Sequence, residues 1–141
     1  MTEIIISIKP NFVEKILCGE KTVELRTRRA NLQPGTQMWI YSTLPRGEIC
    51  ARASVEYVHT DKPDTIWERY SDQIAIHEDE FWAYVGQRES VSVIKMSKID
   101  PIDSGVSLKR MQNLVEGFTP PQFFMHLKSC NPIRALLPAA L

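Results

Sequence analysis

A helix-ending glycine followed directly by a charged, amphipathic strand is the strongest structural signal in this sequence. Gly19 terminates the predicted helix 11–18, and the predicted strand 22–26 follows it. Because successive side chains of a strand point to opposite faces, Val23 and Leu25 are expected to face a core. The charged residues that alternate with them lie on the other face. The segment therefore predicts a sheet that carries a polar, charged surface beside the end of a helix.

The loop after this strand adds positive charge. Arg28 and Arg29 follow Arg26 in a chain that has 17 basic and 17 acidic residues, so attraction to an anionic partner must come from local clustering. Guanidinium groups bind phosphate oxygens through paired hydrogen bonds, which favours phosphate contacts. A solvated edge strand, whose charges simply discourage aggregation, is the alternative interpretation.

The composition is that of one small globular domain. With 141 residues, 43% of them hydrophobic, the chain is long enough for one core and too short for two. No apolar run approaches the roughly 20 residues that span a bilayer, and the first residues lack the pattern of a signal peptide. We therefore expect a cytoplasmic protein that does not enter a membrane.

The cysteines and histidines predict neither a disulfide framework nor a metal site. The cysteines at positions 18, 50 and 130 are odd in number and widely spaced, which is typical of reduced thiols. The histidines at 59, 77 and 126 show no ligand spacing with one another or with the cysteines. The sequence also lacks a glycine-rich phosphate loop. We predict no metal and no cofactor.

The hydrophobic pattern predicts strands with a few short helices between them. The predicted strands are 4–8, 22–26, 38–43, 48–58 and 90–98, and the predicted helices are 11–18, 65–70, 76–84 and one opening at 120. Asp64 is expected to cap the second helix and Gly86 to end the third, while 99–105 is predicted to be a loop. Because helices do not alternate strictly with strands, the pattern favours an α+β fold built on a small mixed barrel.

Several short motifs occur in a fixed order along the chain. They are 6–10, Gly19-Glu20-Lys21-Thr22-Val23-Glu24-Leu25-Arg26 with the helix end before it, 39–45, 66–67, 80–84 and 120–122. This ordered set resembles the ASCH domain family, a branch of the PUA-like β-barrel superfamily. The resemblance covers about residues 3 to 128. It implies an ASCH, PUA-like domain over residues 1–130, a small mixed β-barrel with short helices inserted between strands, followed by a C-terminal tail, 131–141, that is either docked or disordered.

The resemblance implies a nucleic-acid-related function without fixing one activity. Members of the family are regarded as RNA-binding or coactivator-associated modules, some bacterial members cleave RNA, and one branch is an amidohydrolase acting on acylated cytidine nucleosides. In that branch a threonine nucleophile lies three positions after the lysine. Here that position is Glu24, and a carboxylate does not replace a hydroxyl in acyl transfer. Thr22 and Thr27 lie close by and keep this alternative open.

Lys21 and Glu24 are the candidate catalytic residues. A cation and an anion at neighbouring positions of a barrel mouth pair, orient one another and shift each other's pKa. A solvent-exposed ion pair, contributing about 0 to 1 kcal/mol, is the alternative interpretation.

The candidate ligand-binding residues are mostly basic or hydroxylated side chains around this pair. They are Lys9, Lys21, Arg26, Arg28, Arg29, Tyr41, Ser42, Thr43, Arg46 and Gln122. Tyr41 is predicted to stack on a base and its hydroxylated neighbours to donate hydrogen bonds, although a core role for Tyr41 is an equal alternative. The sequence thus predicts a domain, with a regulatory role among its expected uses, that binds RNA or a modified nucleotide or nucleoside. A hydrolase of the same family, either a ribonuclease or an amidohydrolase acting on acylated cytidine nucleosides, is the alternative.

Overall fold

The computed structural model describes residues 2–138 as one curled sheet with helices on its faces and at its open end. The strands are β1 (Glu3–Ile8), β2 (Val23–Arg26), β3 (Gln37–Ser42), β4 (Glu48–Asp61), β5 (Val91–Ser107) and β6 (Phe124–His126). The helices are α1 (Pro10–Leu17), α2 (Pro63–Ile74), α3 (Glu78–Val85) and α4 (Leu108–Leu114). A 3-10 helical turn, Pro132–Leu136, follows β6.

The sheet is mixed, with the strand order β2-β5-β4-β3-β1-β6. The strands β1 and β3 are parallel, and the other neighbours are antiparallel. The register between the long strands β4 and β5 shifts at three places. Because an extra residue in one strand bends the pair and increases its twist, these shifts curl the sheet. The α+β class and the barrel-like curvature confirm the predicted fold.

Apolar residues fill both the inside of the curl and its outer faces. The inner core holds Ile4, Ile6 and Ile8 of β1 together with Val13 and Ile16 of α1. Alternation along β1 sends Ile5 to an outer core beside α4. Another outer core packs β2 against α2 and α3, and Val23 and Leu25 belong to it. The prediction that these two residues face a core is confirmed, and the charged side chains of β2 consequently face the inside of the curl.

Most predicted elements are present, with shifted ends. The hairpin of β3 and β4 is confirmed, and Gly19 has the predicted positive φ, +85°. The residue preceding α2 is Lys62, so Asp64 lies in the first turn of that helix and does not cap it. Gly86 ends α3 as predicted.

The predicted loop 99–105 and the last predicted helix are wrong. Strand β5 continues through 99–105, because this segment pairs with β4 despite its proline and glycine. Residues 124–126 form β6 instead of a helix, because their backbone pairs with β1 along the edge of the sheet. The short helix α4 lies where no helix was predicted, and its Ser107 caps it by accepting a hydrogen bond from the Arg110 amide.

Residues 131–138 of the predicted tail pack on the domain. Ile133 is fully buried in the outer core beside α4. Arg134 forms an ion pair with Glu3, a buried carboxylate at the start of β1, and donates to the Leu127 carbonyl. The remaining tail residues, 139–141, lie outside the described part of the chain.

Candidate functional site

A cleft of about 470 Å³ opens at the end of the curled sheet where β1, β2 and the helices α1, α2 and α3 meet. Its walls combine apolar side chains with charged ones. The lining residues are Ser7, Lys9, Phe12, Lys21, Glu24, Leu25, Arg26, Thr43, Ile74, Ile76, Glu80, Tyr84, Pro121 and Gln122. This volume lies within the range of small-ligand sites, about 300 to 1,000 Å³.

Lys21 forms the floor of the cleft, and its side chain is only 2% exposed. Its Nζ donates to the carbonyl of Ile74 at 2.7 Å and lies 4.9 Å from the centre of the Phe12 ring. The peptide N–H of Lys21 donates to the Lys15 carbonyl in α1. Because the carbonyl end of a helix carries partial negative charge, the last turn of α2 stabilises the ammonium group there.

A second lysine holds the same end of α2. Lys15 donates from Nζ to the carbonyl of Ala75 at 2.6 Å. Ala75 has the left-handed φ of 58°, which is unusual for a residue with a side chain. The end of α2 is therefore held between two cations, and of these Lys21 lines the cleft.

Burial lowers the pKa of Lys21 below its usual value. Removal of the ammonium group from water is the main cause, and the nearby positive charges of Lys15 and Arg26 act in the same direction. The carboxylate of Glu24 opposes this shift. The charged form of Lys21 is therefore less favoured than that of an exposed lysine.

Glu24 is buried and is held mainly by Arg26. Its Oε2 accepts hydrogen bonds from Nε of Arg26 at 2.9 Å and from Nη2 at 2.6 Å. Its Oε1 lies 3.8 Å from Nζ of Lys21. The alternative of a solvent-exposed pair is wrong, because the side chains of Lys21 and Glu24 are 2% and 5% exposed.

Arg26 connects the two ends of the curled sheet. From β2, at one edge, its Nη2 donates to the carbonyl of Ser7 in β1 at 2.6 Å. Its Cζ lies 4.7 Å from the centre of the Phe123 ring, and Phe123 directly precedes β6 at the other edge. The Ser7 hydroxyl in turn donates to the Pro121 carbonyl at 2.6 Å. One side chain therefore orients Glu24 and closes the open side of the sheet.

A polar cluster behind the cleft fixes α2 against β2. Lys95 of β5 donates to the side-chain oxygens of Gln73, at 2.7 Å, and Thr22, at 3.2 Å. The peptide N–H of Thr22 also donates to the Gln73 carbonyl. These contacts hold Thr22 against the end of α2 and so position the preceding residue, Lys21, beside the α2 carbonyls. The hydroxyl of Thr22 is engaged in this cluster and does not line the cleft.

Six of the residues predicted for the site meet in this cleft. They are Lys9, Lys21, Glu24, Arg26, Thr43 and Gln122. Arg28 lines an adjoining cavity of about 200 Å³, together with Arg26, Thr27, Tyr84, Gln122 and Phe123. The other four predicted residues line neither cavity.

Those four are separated from the cleft by burial or by position. Tyr41 and Ser42 are 2% and 0% exposed, and Tyr41 packs in the outer core beside α4. Arg46 is exposed and pairs with Glu48 at 2.9 Å. Arg29 is exposed beyond the two cavities.

The sequence did not indicate that side chains of α1 and α3 line the cleft. Phe12 reads as a core residue on the apolar stripe of α1, and Tyr84 reads as one of several core aromatics. In the structure Tyr84 is 44% exposed and lines both cavities. Glu80 lies one helical turn before it and also lines the cleft. Their spacing of four residues was the available signal for a shared face.

A different cleft, of about 760 Å³, lies between the tail and β4 and β5. Its walls include Trp39, Arg52, Asp100 and Leu136. Across residues 2–138, no three His, Cys, Asp or Glu side chains are grouped so as to hold a metal ion. No helix in this part of the chain is long and apolar enough to cross a membrane.

The curled α+β architecture of this chain is shared with known relatives. Residues 1–117 match a family described as a domain of unknown function, DUF365. An ASCH domain-containing ribonuclease of Zymomonas mobilis is 28% identical over 126 residues, which are 89% of this chain and 84% of the relative. The chain belongs to the DUF365 family and is an ASCH domain.

Solved structures agree with this assignment. The crystal structure of ASCH from Zymomonas mobilis superimposes with a TM-score of 0.87 at 26% identity, covering 95% of this chain and 93% of that one. The human THYN1 protein, in complex with 5-methylcytosine containing DNA, has a TM-score of 0.58 at 9% identity, covering 96% and 95%. The likeness to THYN1 concerns the fold alone.

Proposed function

We propose that this domain binds RNA and takes one nucleotide unit into the 470 Å³ cleft. The observation that carries the proposal is a pair of cations, the buried Lys21 and the partly buried Arg26, that line a cavity of nucleotide size. Buried charges are costly unless they are used or paired, and two cations here share a single carboxylate, Glu24. An anionic ligand would compensate the excess positive charge.

The rest of the cleft supplies contacts that suit a base and a sugar. Phe12 offers aromatic surface, and Thr43 and Gln122 carry groups that donate and accept hydrogen bonds. Glu24 and Glu80 provide acceptors for the amino groups of a base edge. RNA recognition typically combines stacking with hydrogen bonds to an unstacked base, so single-stranded RNA is the favoured form.

Hydrolysis of RNA is the second candidate, favoured by the similarity to a ribonuclease over 89% of this chain. Lys21, whose pKa is lowered by burial, and Glu24 are the proposed proton-transferring groups. In this reaction the ribose 2′-oxygen attacks phosphorus and gives its proton to the protein side chain that acts as general base. The departing 5′-oxygen takes a proton from the side chain that acts as general acid. A gel assay with a labelled RNA and its all-deoxy counterpart tests this candidate: cleavage of RNA alone supports it, and intact RNA at high enzyme concentration contradicts it.

Removal of the two loop arginines should weaken RNA binding. Arg28 lines the cavity that adjoins the cleft, and Arg29 is the next residue of the same exposed loop, so both suit phosphates outside the cleft. The Arg28→Ala/Arg29→Ala variant should bind a single-stranded RNA several-fold more weakly and show a shallower dependence of affinity on salt, because fewer counterions are released. Fluorescence anisotropy at several salt concentrations measures both quantities.

The control variant is Lys109→Ala/Arg110→Ala, which removes the same charge from exposed positions of α4 on another face of the sheet. It should behave like the natural protein. Equal losses in the two double variants would show that only net charge matters and would remove the loop from the site.

Deacetylation of an acylated cytidine should be undetectable. Glu24 stands where the amidohydrolase branch carries a threonine nucleophile, and its carboxylate is held by Arg26. Thr22 is engaged with Gln73 and Lys95, so it is not poised as a substitute. Purified protein incubated with N4-acetylcytidine should release no acetate above a buffer control; rapid release would place amide hydrolysis ahead of RNA binding.

A further inference from the structure

The cleft adjoins a second cavity, and three residues line both of them. Arg26, Tyr84 and Gln122 line both the 470 Å³ cleft and the 200 Å³ cavity that contains Arg28 and Phe123. Two cavities with common walls are neighbouring compartments of one surface. The shared residues therefore stand at the boundary between them.

The boundary carries a group suited to a phosphate. Arg26 uses Nε and Nη2 for Glu24 and Ser7. Within residues 2–138 its Nη1 donates no hydrogen bond, so one edge of the guanidinium is left for a ligand. Arg28, two residues along the chain, adds an exposed guanidinium in the second cavity. Arginine pairs well with phosphate oxygens.

The boundary also carries an exposed aromatic ring. Tyr84 is 44% exposed, although it belongs to a helix whose Phe81 and Val85 are fully buried. A half-exposed ring beside a cavity offers a face on which a base can stack. Such stacking is tolerant of base identity, because every base has a π-face.

We propose that the second cavity binds the nucleoside adjacent to the one in the cleft, so that the ligand unit is a dinucleotide step. The bridging phosphate lies at Arg26 and Arg28, and the second base stacks on Tyr84. This inference rests on the proposed function, because the first nucleotide occupies the cleft. It assigns the second cavity to single-stranded RNA and predicts that a free nucleotide is an incomplete ligand.

The test compares ligands that each carry one phosphate. Binding of the four ribonucleoside monophosphates and of the dinucleoside monophosphates built from the same nucleosides is measured by calorimetry. The natural protein should bind the best dinucleoside monophosphate about tenfold more tightly than the corresponding mononucleotide, the size expected for one stacked base. In Tyr84→Ala this preference should disappear, and in Tyr84→Phe it should remain.

Trp82→Ala is the matched control, since Trp82 is an exposed aromatic of the same helix, 37% accessible, that lines neither cavity. It should keep the preference. Equal affinities for the two ligand types in the natural protein, or a preference that survives Tyr84→Ala, would overturn the second subsite and leave the cleft proposal standing. Failure of every nucleotide and of a 12-residue single-stranded RNA to bind would overturn both.

Discussion

The Lys21→Met variant is expected to lose at least nine-tenths of the affinity for single-stranded RNA. Lys21 supplies a charged donor in a cavity shielded from water, where a hydrogen bond to a charged group contributes roughly 1.5 to 3 kcal/mol. That contribution corresponds to about a tenfold to hundredfold change in the dissociation constant. Fluorescence anisotropy with a labelled RNA measures the loss.

The fold should survive this change. Methionine has similar length, and Glu24 keeps both hydrogen bonds from Arg26. The Ile74 carbonyl loses a donor, whereas the cost of burying an ammonium group disappears, and these effects oppose each other. Unchanged RNA affinity in a folded Lys21→Met protein would remove Lys21 from the binding site.

The pH dependence provides an independent check on Lys21. Only the ammonium form attracts a phosphate, so affinity in the natural protein should fall as pH rises through the lowered pKa of Lys21. Lys21→Met should lack this decline, because no titrating group remains at that position.

The Arg26→Ala variant is expected to cause the largest loss of stability. It leaves the buried Glu24 carboxylate with only Lys21, 3.8 Å away, and breaks the contact with the Ser7 carbonyl across the open side of the sheet. Removing one partner of a buried ion pair typically costs about 3 to 5 kcal/mol. Urea unfolding monitored by circular dichroism gives the change in the free energy of unfolding.

Two further variants make this result specific. Arg28→Ala removes an exposed arginine from the following loop and should change stability by no more than about 0.5 kcal/mol. Adding Glu24→Gln to Arg26→Ala should recover part of the loss, because the buried carboxylate that lost its guanidinium partner is then neutral, while Lys21 keeps its hydrogen bond to the Ile74 carbonyl. If Arg26→Ala costs no more than Arg28→Ala, the buried pair does not hold the two ends of the sheet together.

The local pattern predicts much of the fold because the strands of the inner core are strongly apolar. The residues of β1 alternate between two cores, and a continuous run of isoleucines is the signature of a strand buried on both faces. Prediction from hydrophobic periodicity failed where pairing with a strand distant in sequence decides the structure. The segment 124–126 becomes a strand only because β1 offers an unpaired edge, and proline-containing 99–105 is strand only because β4 lies beside it.

The site is predictable in its charged residues but not in their geometry. Lys21 precedes β2, so strict alternation predicts that it points away from Glu24. The turn between α1 and β2 brings its amine back beside that carboxylate and under the end of α2. The role of Tyr84 depends on how α3 lies against the barrel, a relation between distant segments that no local pattern encodes.

The most direct measurement is a crystal structure of the domain with a single-stranded RNA trinucleotide. We expect one nucleotide in the 470 Å³ cleft, with an oxygen within about 3.2 Å of Nζ of Lys21 or Nη1 of Arg26, the range of a hydrogen bond. A trinucleotide bound in the 760 Å³ cleft beside Trp39, with the Lys21 cleft empty, would contradict the proposal that RNA is recognised by Lys21 and Arg26.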